Sequence, residues 1–306
     1  MALATRGARE AAHLETVGCP VCSATGDFIF QQRDLLCSLP GEFGVRFCAK
    51  CGMYFLSPRV PEGEIHRYYQ ATYGPYQAGR LSPFVKWAAE RVGLVGRRNR
   101  IVERYVAGGR ILDVGCGNGE FLAHCDPQRW ERFAMDIEAN GKFEFAGEFF
   151  AGCFDCEPAP AVRELDAITL WHVFEHLYHP EIALKNAAEI LKKDGYLFLA
   201  VPEPDCPERR LFGRSWIGWD VPRHIATYTR VGMEKYVSRA GLHLVDVVAD
   251  ACNGHMSMLN LEFLLRSRGS GSSITTSAFC QALAYPWVLA SEWMGLEQAK
   301  VYVIQK

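Results

Sequence analysis

The stretch Arg110-Ile111-Leu112-Asp113-Val114-Gly115-Cys116-Gly117-Asn118-Gly119-Glu120-Phe121-Leu122 constrains this chain more than any other. Its apolar first half reads as a short buried strand, the glycines as a sharp turn, and Glu120 onward as the start of a helix. Gly115, Gly117 and Gly119 fall on alternate positions; without a Cβ each tolerates φ > 0 and lets the backbone pass close to a ligand. Asp113 stands just before them, at the strand's C-terminal edge, where open α/β sheets bind ligands. The spacing is D-x-G-x-G-x-G, whereas a dinucleotide loop that holds a pyrophosphate is G-x-G-x-x-G, and no P-loop lysine follows. The pattern therefore argues against a phosphate cradle.

At 306 residues and 49% hydrophobic content the chain can bury one large α/β core with material left for an appended module. A formal net charge of -2 gives no general pull toward nucleic acid or an anionic membrane. The N-terminus lacks the apolar core of a signal peptide, and no run of about eighteen apolar residues is present to span a bilayer. The expectation is a soluble, cytoplasmic protein. In such a chain the 12 cysteines read as a few metal ligands plus buried thiols, not as a disulfide framework.

Residues 1–17 read as a loosely ordered leader. A module over 18–57 carries Cys19, Cys22, Cys48 and Cys51, two C-x-x-C knuckles whose spacing fits a tetrahedral structural zinc site. Phe28-Ile29-Phe30 and Val45-Arg46-Phe47 would be the strands of this zinc ribbon, and the metal would supply much of its folding energy. Residues 58–108 form a helical linker, with a short helix ending near Tyr68-Tyr69 and helical periodicity over 83–107 that Gly108-Gly109 stops. The α/β domain follows over 109–306. Trp130 to Asp136 is its second strand, and Asp136, about twenty residues past the loop, is placed to take ribose hydroxyls, with Glu138 as fallback. Further strands are expected at Phe149–Gly152, Asp166–Leu170, Tyr196–Val201, Leu242–Val248 and Ala299–Ile304, with helices over Pro180–Lys192 and Tyr228–Ala240. Two insertions interrupt this plan, 202–228 and the apolar 253–295.

The glycine run, with its strand, acid and helix, resembles the cofactor-loop signature of class I S-adenosylmethionine methyltransferases. The Cys48-x-x-Cys51-Gly52 knuckle, the Ser57-Pro58-Arg59 linker and the tyrosines 68, 69, 73 and 76 resemble bacterial methyltransferases with an N-terminal zinc module, sugar C-methyltransferases among them. The resemblance implies a doubly wound seven-stranded Rossmann-like sheet whose last strand is antiparallel at the edge, and S-adenosylmethionine as cofactor. It places Asp113 against the methionyl amino group and gives Gly115, Cys116, Gly117, Gly119, Asp136, Ile137, Phe154, Trp171, His172 and Tyr73 as cofactor contacts, with Cys153-Phe154-Asp155 near the adenine. The tyrosine cluster reads equally as a packing strip.

The run His172-x-x-Glu175-His176 resembles the segment of small-molecule methyltransferases that lies beside cofactor and acceptor. A histidine with a pKa near 6.5 suits proton abstraction at neutral pH; His176 is the first choice as base, with His172 and His224 as alternatives and Glu175 orienting an imidazole. The same ligands could recruit a second metal. A long connection at the C-terminal edge of a sheet carries function often enough to assign Trp216, Trp219, Arg223, His224 and Tyr228 to a small-molecule acceptor. Arg223 could hold an anionic group in its planar fork, or form an ordinary loop salt bridge. Two other functions compete. A zinc ribbon reading RNA needs a basic, aromatic face, yet this one carries few Lys or Arg, and no N-P-P-[YFW] motif follows the fourth strand. A partner-binding scaffold on the same fold would bind no cofactor. Residues 253–295 read as core packing, with a homodimer face or a membrane contact as the other uses.

Overall fold

The computed structural model describes residues 13–69, 96–137, 145–156, 161–250, 260–261, 263–264, 267, 294 and 297–306. Tyr73, Tyr76, Glu138, most of the leader and nearly all of 253–295 lie outside them. The chain divides into two compact units: Met1–Gln77 with Pro202–Met233 and Cys252–Gln298, and Ala78–Val201 with Glu234–Ala251 and Ala299–Lys306. The 202–228 connection, expected as an insertion of the α/β domain, thus folds with the cysteine module.

The first unit holds an antiparallel sheet of β1 (Asp27–Gln32), β2 (Phe43–Cys48), β3 (Met53–Leu56) and β9 (Ala226–Tyr228), in that spatial order. The two expected ribbon strands are β1 and β2. The knuckle after Cys48, closed by Gly52 N–H donating to the Cys48 carbonyl at 2.7 Å with Gly52 at φ 72°, turns the chain back into β3. Tyr228, expected to begin a helix, ends β9 instead, and the helix runs Arg230–Arg239. Phe43, Val45, Leu56, Tyr68, Trp216 and Trp219 are buried together as the core. Trp219 sits edge-on to Tyr54 at 5.0 Å and to Trp216 at 5.2 Å between ring centroids, an arrangement aromatic quadrupoles favour.

One guanidinium ties this core. Arg223, 0% exposed, donates to Asp34 at 2.7 and 3.1 Å, to Asp220 at 2.6 and 3.0 Å, and to the Tyr68 carbonyl at 3.2 Å. Burial alone would push its pKa down, but the two carboxylates hold it well above the usual value. A second polar knot surrounds the buried Asn260, which accepts the Ile217 amide at 2.6 Å and donates to Gln298 at 2.8 Å and to Glu208. At the N-terminal end, Glu15 is bridged to Arg59 through backbone and side chain, so the expected loose leader is tied down by that residue.

The second unit is a seven-stranded sheet of β4 (Gly109–Val114), β5 (Trp130–Asp136), β6 (Glu148–Ala151), β7 (Leu165–Trp171), β8 (Leu191–Pro202), β10 (His243–Ala249) and β11 (Ala299–Gln305), ordered β10-β11-β8-β7-β4-β5-β6. Pairings β4 to β5, β5 to β6, β4 to β7 and β7 to β8 are parallel, and β10 to β11 is antiparallel. The expected antiparallel last strand is present but not at the edge: β11 lies between β8 and β10. Val301, Tyr302, Val303 and Ile304 are all 0% exposed, the burial of an interior strand covered on both faces. The helix Pro180–Ile190 passes directly into β8, so Asp194, expected as a helix stop, lies inside the strand at φ 66°.

Replacing Arg223 by Leu leaves Asp34 and Asp220 buried without their cation. The expected cost is about 3–5 kcal/mol. Urea unfolding followed through the tryptophans checks it, and a loss below 1 kcal/mol, the range of an exposed ion pair, would refute the buried tie.

Candidate functional site: a glycine loop at the strand-order switch and a four-cysteine centre

In the seven-stranded sheet the strand order reverses at β4, which has β5 on one side and β7 on the other. Such a switch point opens a crevice at the strand ends. The Gly115–Gly119 loop occupies it, with φ of 69°, 56° and 80° at the three glycines, a region closed to most side chains. Gly115 has a steric reason as well, because a Cβ there would meet Val173 Cγ2 at 2.3 Å. Above Gly117 the space is open, with nothing among the described residues within 4 Å of where a Cβ would lie. The loop is fastened to β5: Gly115 N–H donates to the Met135 carbonyl at 2.7 Å and Gly117 N–H to Asp136 Oδ2 at 2.8 Å.

Asp113 lies beneath the loop, 2% exposed, accepting the Thr169 hydroxyl at 2.6 Å. Burial raises its pKa to about 7, against the lowering effect of Thr169 and Arg98. Asp136 ends β5 partly exposed and also accepts the Ile137 amide at 2.7 Å, while Ile137 itself stands 75% exposed at the rim. Cys116, Phe154 and Trp171 are buried. The Trp171 indole N–H has no hydrogen-bond partner among the described residues. An open cradle, acids at the ends of neighbouring strands and an orphaned buried donor fit a ligand carrying an amino acid and a ribose.

The segment after β7 is built on charge. His172, at φ 57°, is held between Asp250, 2.9 Å from Nε2, and Glu175, 3.3 Å from Nδ1. Burial acts to lower its pKa, but these two carboxylates outweigh it and raise it to about 9. Asp250 is clasped from the other side by Arg98, whose Nε and Nη2 donate at 3.2 and 2.8 Å, and the same guanidinium lies 4.8 Å over the Trp171 ring. Burial would raise the Asp250 pKa; Arg98 first and then His172 hold it far below the usual carboxylate range. At neutral pH His172 is therefore an imidazolium donating both protons, which leaves it no lone pair to act as a base. Glu175 is fully buried in this network, and His176 follows it with its amide on the Val173 carbonyl at 2.9 Å.

Sequence inspection passed over Arg98 and Asp250. Asp250 did carry a readable signal, an acid at a strand's C-terminal end, as with Asp136. Asp155, expected near the adenine, is buried and accepts the amides of Tyr178 and His179 at 3.0 and 3.1 Å, bracing the entry to the helix Pro180–Ile190. Cys153 and Cys156 on either side of it are joined in a disulfide, which the reading of ligands and free thiols did not include.

In the first unit Cys19, Cys22, Cys48 and Cys51 bring four sulfurs within 4.8 Å of one another, with Cys22 and Cys48 3.6 Å apart and all four unbridged. A tetrahedron of Zn–S bonds of about 2.3 Å has edges of about 3.8 Å. The donor set and its size fit a closed structural zinc site. The residues assigned to the acceptor, Trp216, Trp219, Arg223, His224 and Tyr228, are all buried in this unit. Arg223 serves the Asp34 and Asp220 tie, the salt-bridge alternative. His224 donates from Nδ1 to the Gly218 carbonyl at 2.8 Å, which puts the lone pair of the neutral ring on Nε2.

A parallel-stranded switch point with an acid, a glycine loop and a helix behind it defines the Rossmann-like architecture of class I methyltransferases. A family model described as a methyltransferase domain matches residues 87–247, just over half the chain, and the chain belongs to that family. No curated protein sequence matches it. Among solved structures, the O-methyltransferase from a trans-AT PKS multienzyme of Brevibacillus brevis, in complex with S-adenosyl-L-homocysteine, aligns over 81% of this chain and 81% of its own, at 13% identity and TM-score 0.47. The StiE O-methyltransferase segment aligns over 76% and 80%, at 17% identity and TM-score 0.47. A SAM-dependent methyltransferase from Archaeoglobus fulgidus aligns over 74% and 100%, at 17% identity and TM-score 0.42. Among the described residues no helix is long and apolar enough to cross a membrane.

The His172 pair has a pH signature. Its folded pKa of about 9 lies above the unfolded value of about 6.5, so its stabilisation is complete below about pH 6.5 and is lost as pH rises through 9. The expected loss is up to about 3 kcal/mol across that window. Unfolding curves at pH 6 and pH 9.5 should show it in the native chain and not in His172→Gln; parallel pH profiles for the two proteins would contradict the ion pair.

Proposed function

We propose that this chain transfers a methyl group from S-adenosylmethionine to a small-molecule acceptor, with a nucleotide-linked sugar or a natural-product intermediate as the class. The observation that carries the reading is the glycine loop, open above Gly117 and fastened to Asp136, in a chain of the methyltransferase-domain family. A carboxylate offers about four acceptor positions, so Asp136 can take ribose hydroxyls while keeping the Gly117 and Ile137 amides. Asp113 faces the methionyl ammonium, and Trp171, Phe154 and Ile137 supply apolar walls.

When bound, S-adenosylmethionine supplies a methyl group activated by its sulfonium sulfur. The chain's part is to hold nucleophile, carbon and sulfur in line and to keep the site dry, since the leaving group is already built into the cofactor. An acceptor hydroxyl or acidic C–H must also lose a proton. His172 already carries its proton between Asp250 and Glu175. The base is then His176, with His224 Nε2 as the alternative.

Calorimetry should show binding of both S-adenosylmethionine and S-adenosylhomocysteine, weakened about tenfold or more in Asp136→Ala by the lost charge-assisted hydrogen bonds. An ammonium prefers the ionised Asp113, so affinity should fall as pH drops below about 7, and Asp113→Asn should flatten that dependence. Absence of binding to the native chain would end the methyl-transfer reading.

With an acceptor in hand, His176→Asn should lower kcat by about 10²–10⁴ with cofactor affinity unchanged. Near-native rates in both His176→Asn and His224→Asn would mean catalysis by alignment alone.

A further inference from the structure

We propose that the four-cysteine centre controls the acceptor-recognition segment: metal held by Cys19, Cys22, Cys48 and Cys51 fixes the knuckle against which Ile225 to Gly232 is folded. Its acceptor part rests on the function proposed above and on the assignment of Tyr228 and the neighbouring His224 to the acceptor from sequence; its structural part stands on the first unit alone.

β9 is only three residues long, and among the described residues its one partner strand is β3. Its register sets Met53 opposite Tyr228, Tyr54 opposite Thr227 and Phe55 opposite Ala226. The segment is extended at both ends by contacts to the same few residues. Leu56 N–H donates to the Ile225 carbonyl at 3.0 Å, and the Thr229 hydroxyl donates to the Gly52 carbonyl and accepts the Gly232 amide at 3.1 Å. Gly232 completes the clasp: a Cβ there would lie 2.3 Å from the Gly52 oxygen and 3.1 Å from the Cys51 oxygen. Ile225 to Thr229, with Gly232, are thus laid along Cys51 to Leu56.

That support is itself set by the knuckle. β3 begins two residues after Cys51, and the turn is closed by the Cys51 and Gly52 amides on the Cys48 carbonyl at 3.2 and 2.7 Å. So tight a turn brings buried sulfurs together, an arrangement that a metal rewards and that four thiols do not. The stretch just upstream also packs on β3, through Trp219 against Tyr54, but it has further anchors. Trp216 and Trp219 are buried in the aromatic core, and Arg223 is fixed by Asp34 and Asp220. The metal-sensitive region is therefore Ile225–Gly232, not the whole 202–233 connection. By linkage the coupling runs both ways, so loosening the clasp must weaken the metal.

The test uses the full chain. Hydrogen exchange is followed in peptides covering 224–232 and 214–223, with zinc bound, after chelation, and after zinc is restored. Expected are a selective, reversible loss of protection in 224–232 and, with cobalt in place of zinc, the charge-transfer bands of a four-thiolate site. Competition against a chromophoric chelator reads the reverse coupling: Thr229→Val and Gly232→Ala should each lower zinc affinity several-fold. The second is the sharper, since Gly→Ala in a helix ordinarily stabilises. Should chelation unfold the whole unit, the competition result decides. Unchanged 224–232 exchange in the metal-free chain, native zinc affinity in both variants, or failure of the purified chain to hold zinc overturns the proposal. None of these bears on methyl transfer, whereas absence of S-adenosylmethionine binding removes that function and leaves the metal coupling standing.

Discussion

The place of β4 between β5 and β7 is the constraint on which the functional end of the seven-stranded sheet depends. Parallel strands deliver their C-terminal ends to one edge, and the reversal of order at β4 parts the connections leaving that edge. Asp113, Asp136 and His172 come from the ends of three adjacent strands and so share a small volume. Asp113 responds to its neighbours: burial raises its pKa, Asp136 adds to the rise, and Thr169 and Arg98 oppose it. A cofactor bearing an ammonium beside Asp113 would enter a field in which one positive neighbour, Arg98, is already engaged by Asp250.

Buried charge follows one rule in both units. Removing a single ion from water costs several kcal/mol, and the charge persists only where partners surround it. Arg98 and His172 share Asp250, and His172 also meets Glu175; Arg223 meets Asp34 and Asp220. The partners are far apart in sequence, Arg98 from Asp250 and Asp34 from Arg223, so each network closes only when distant stretches have reached their native places. An arrangement in which one of these partners is missing leaves a buried ion alone, which is strongly destabilising.

What the sequence made legible was local. The D-x-G-x-G-x-G run declared strand, turn and helix because each step rests on residues next to one another, and the cysteine knuckles did so for the same reason. Asp136 was found by its offset from the loop, a regular consequence of βαβ geometry. Legibility stopped where partners are distant. Nothing near Asp34 marks it as the mate of Arg223, and nothing in Ala226-Thr227-Tyr228 says that β3 lacks a neighbour. Tyr228 was given to a helix because three strand residues leave too short a period to compete with the amphipathic pattern that follows. The place of β11 was misjudged for a related reason: its unbroken apolar run signals burial of its faces but not which strands it pairs with.

The division of the chain carries the same lesson into function. A ribbon of β1, β2 and β3 has an apolar face that so small a sheet cannot cover by itself. Phe43, Val45 and Leu56 on that sheet are buried with Trp216 and Trp219 from the later connection. The cysteine module and the 202–233 connection are thus halves of one core. Without its cysteines the core would lose the turn that aims β3; without its tryptophans, the ribbon would face water with its apolar side. Each half supplies what the other's sequence lacks: the expected module of residues 18–57 is one part of a unit that includes Pro202–Met233.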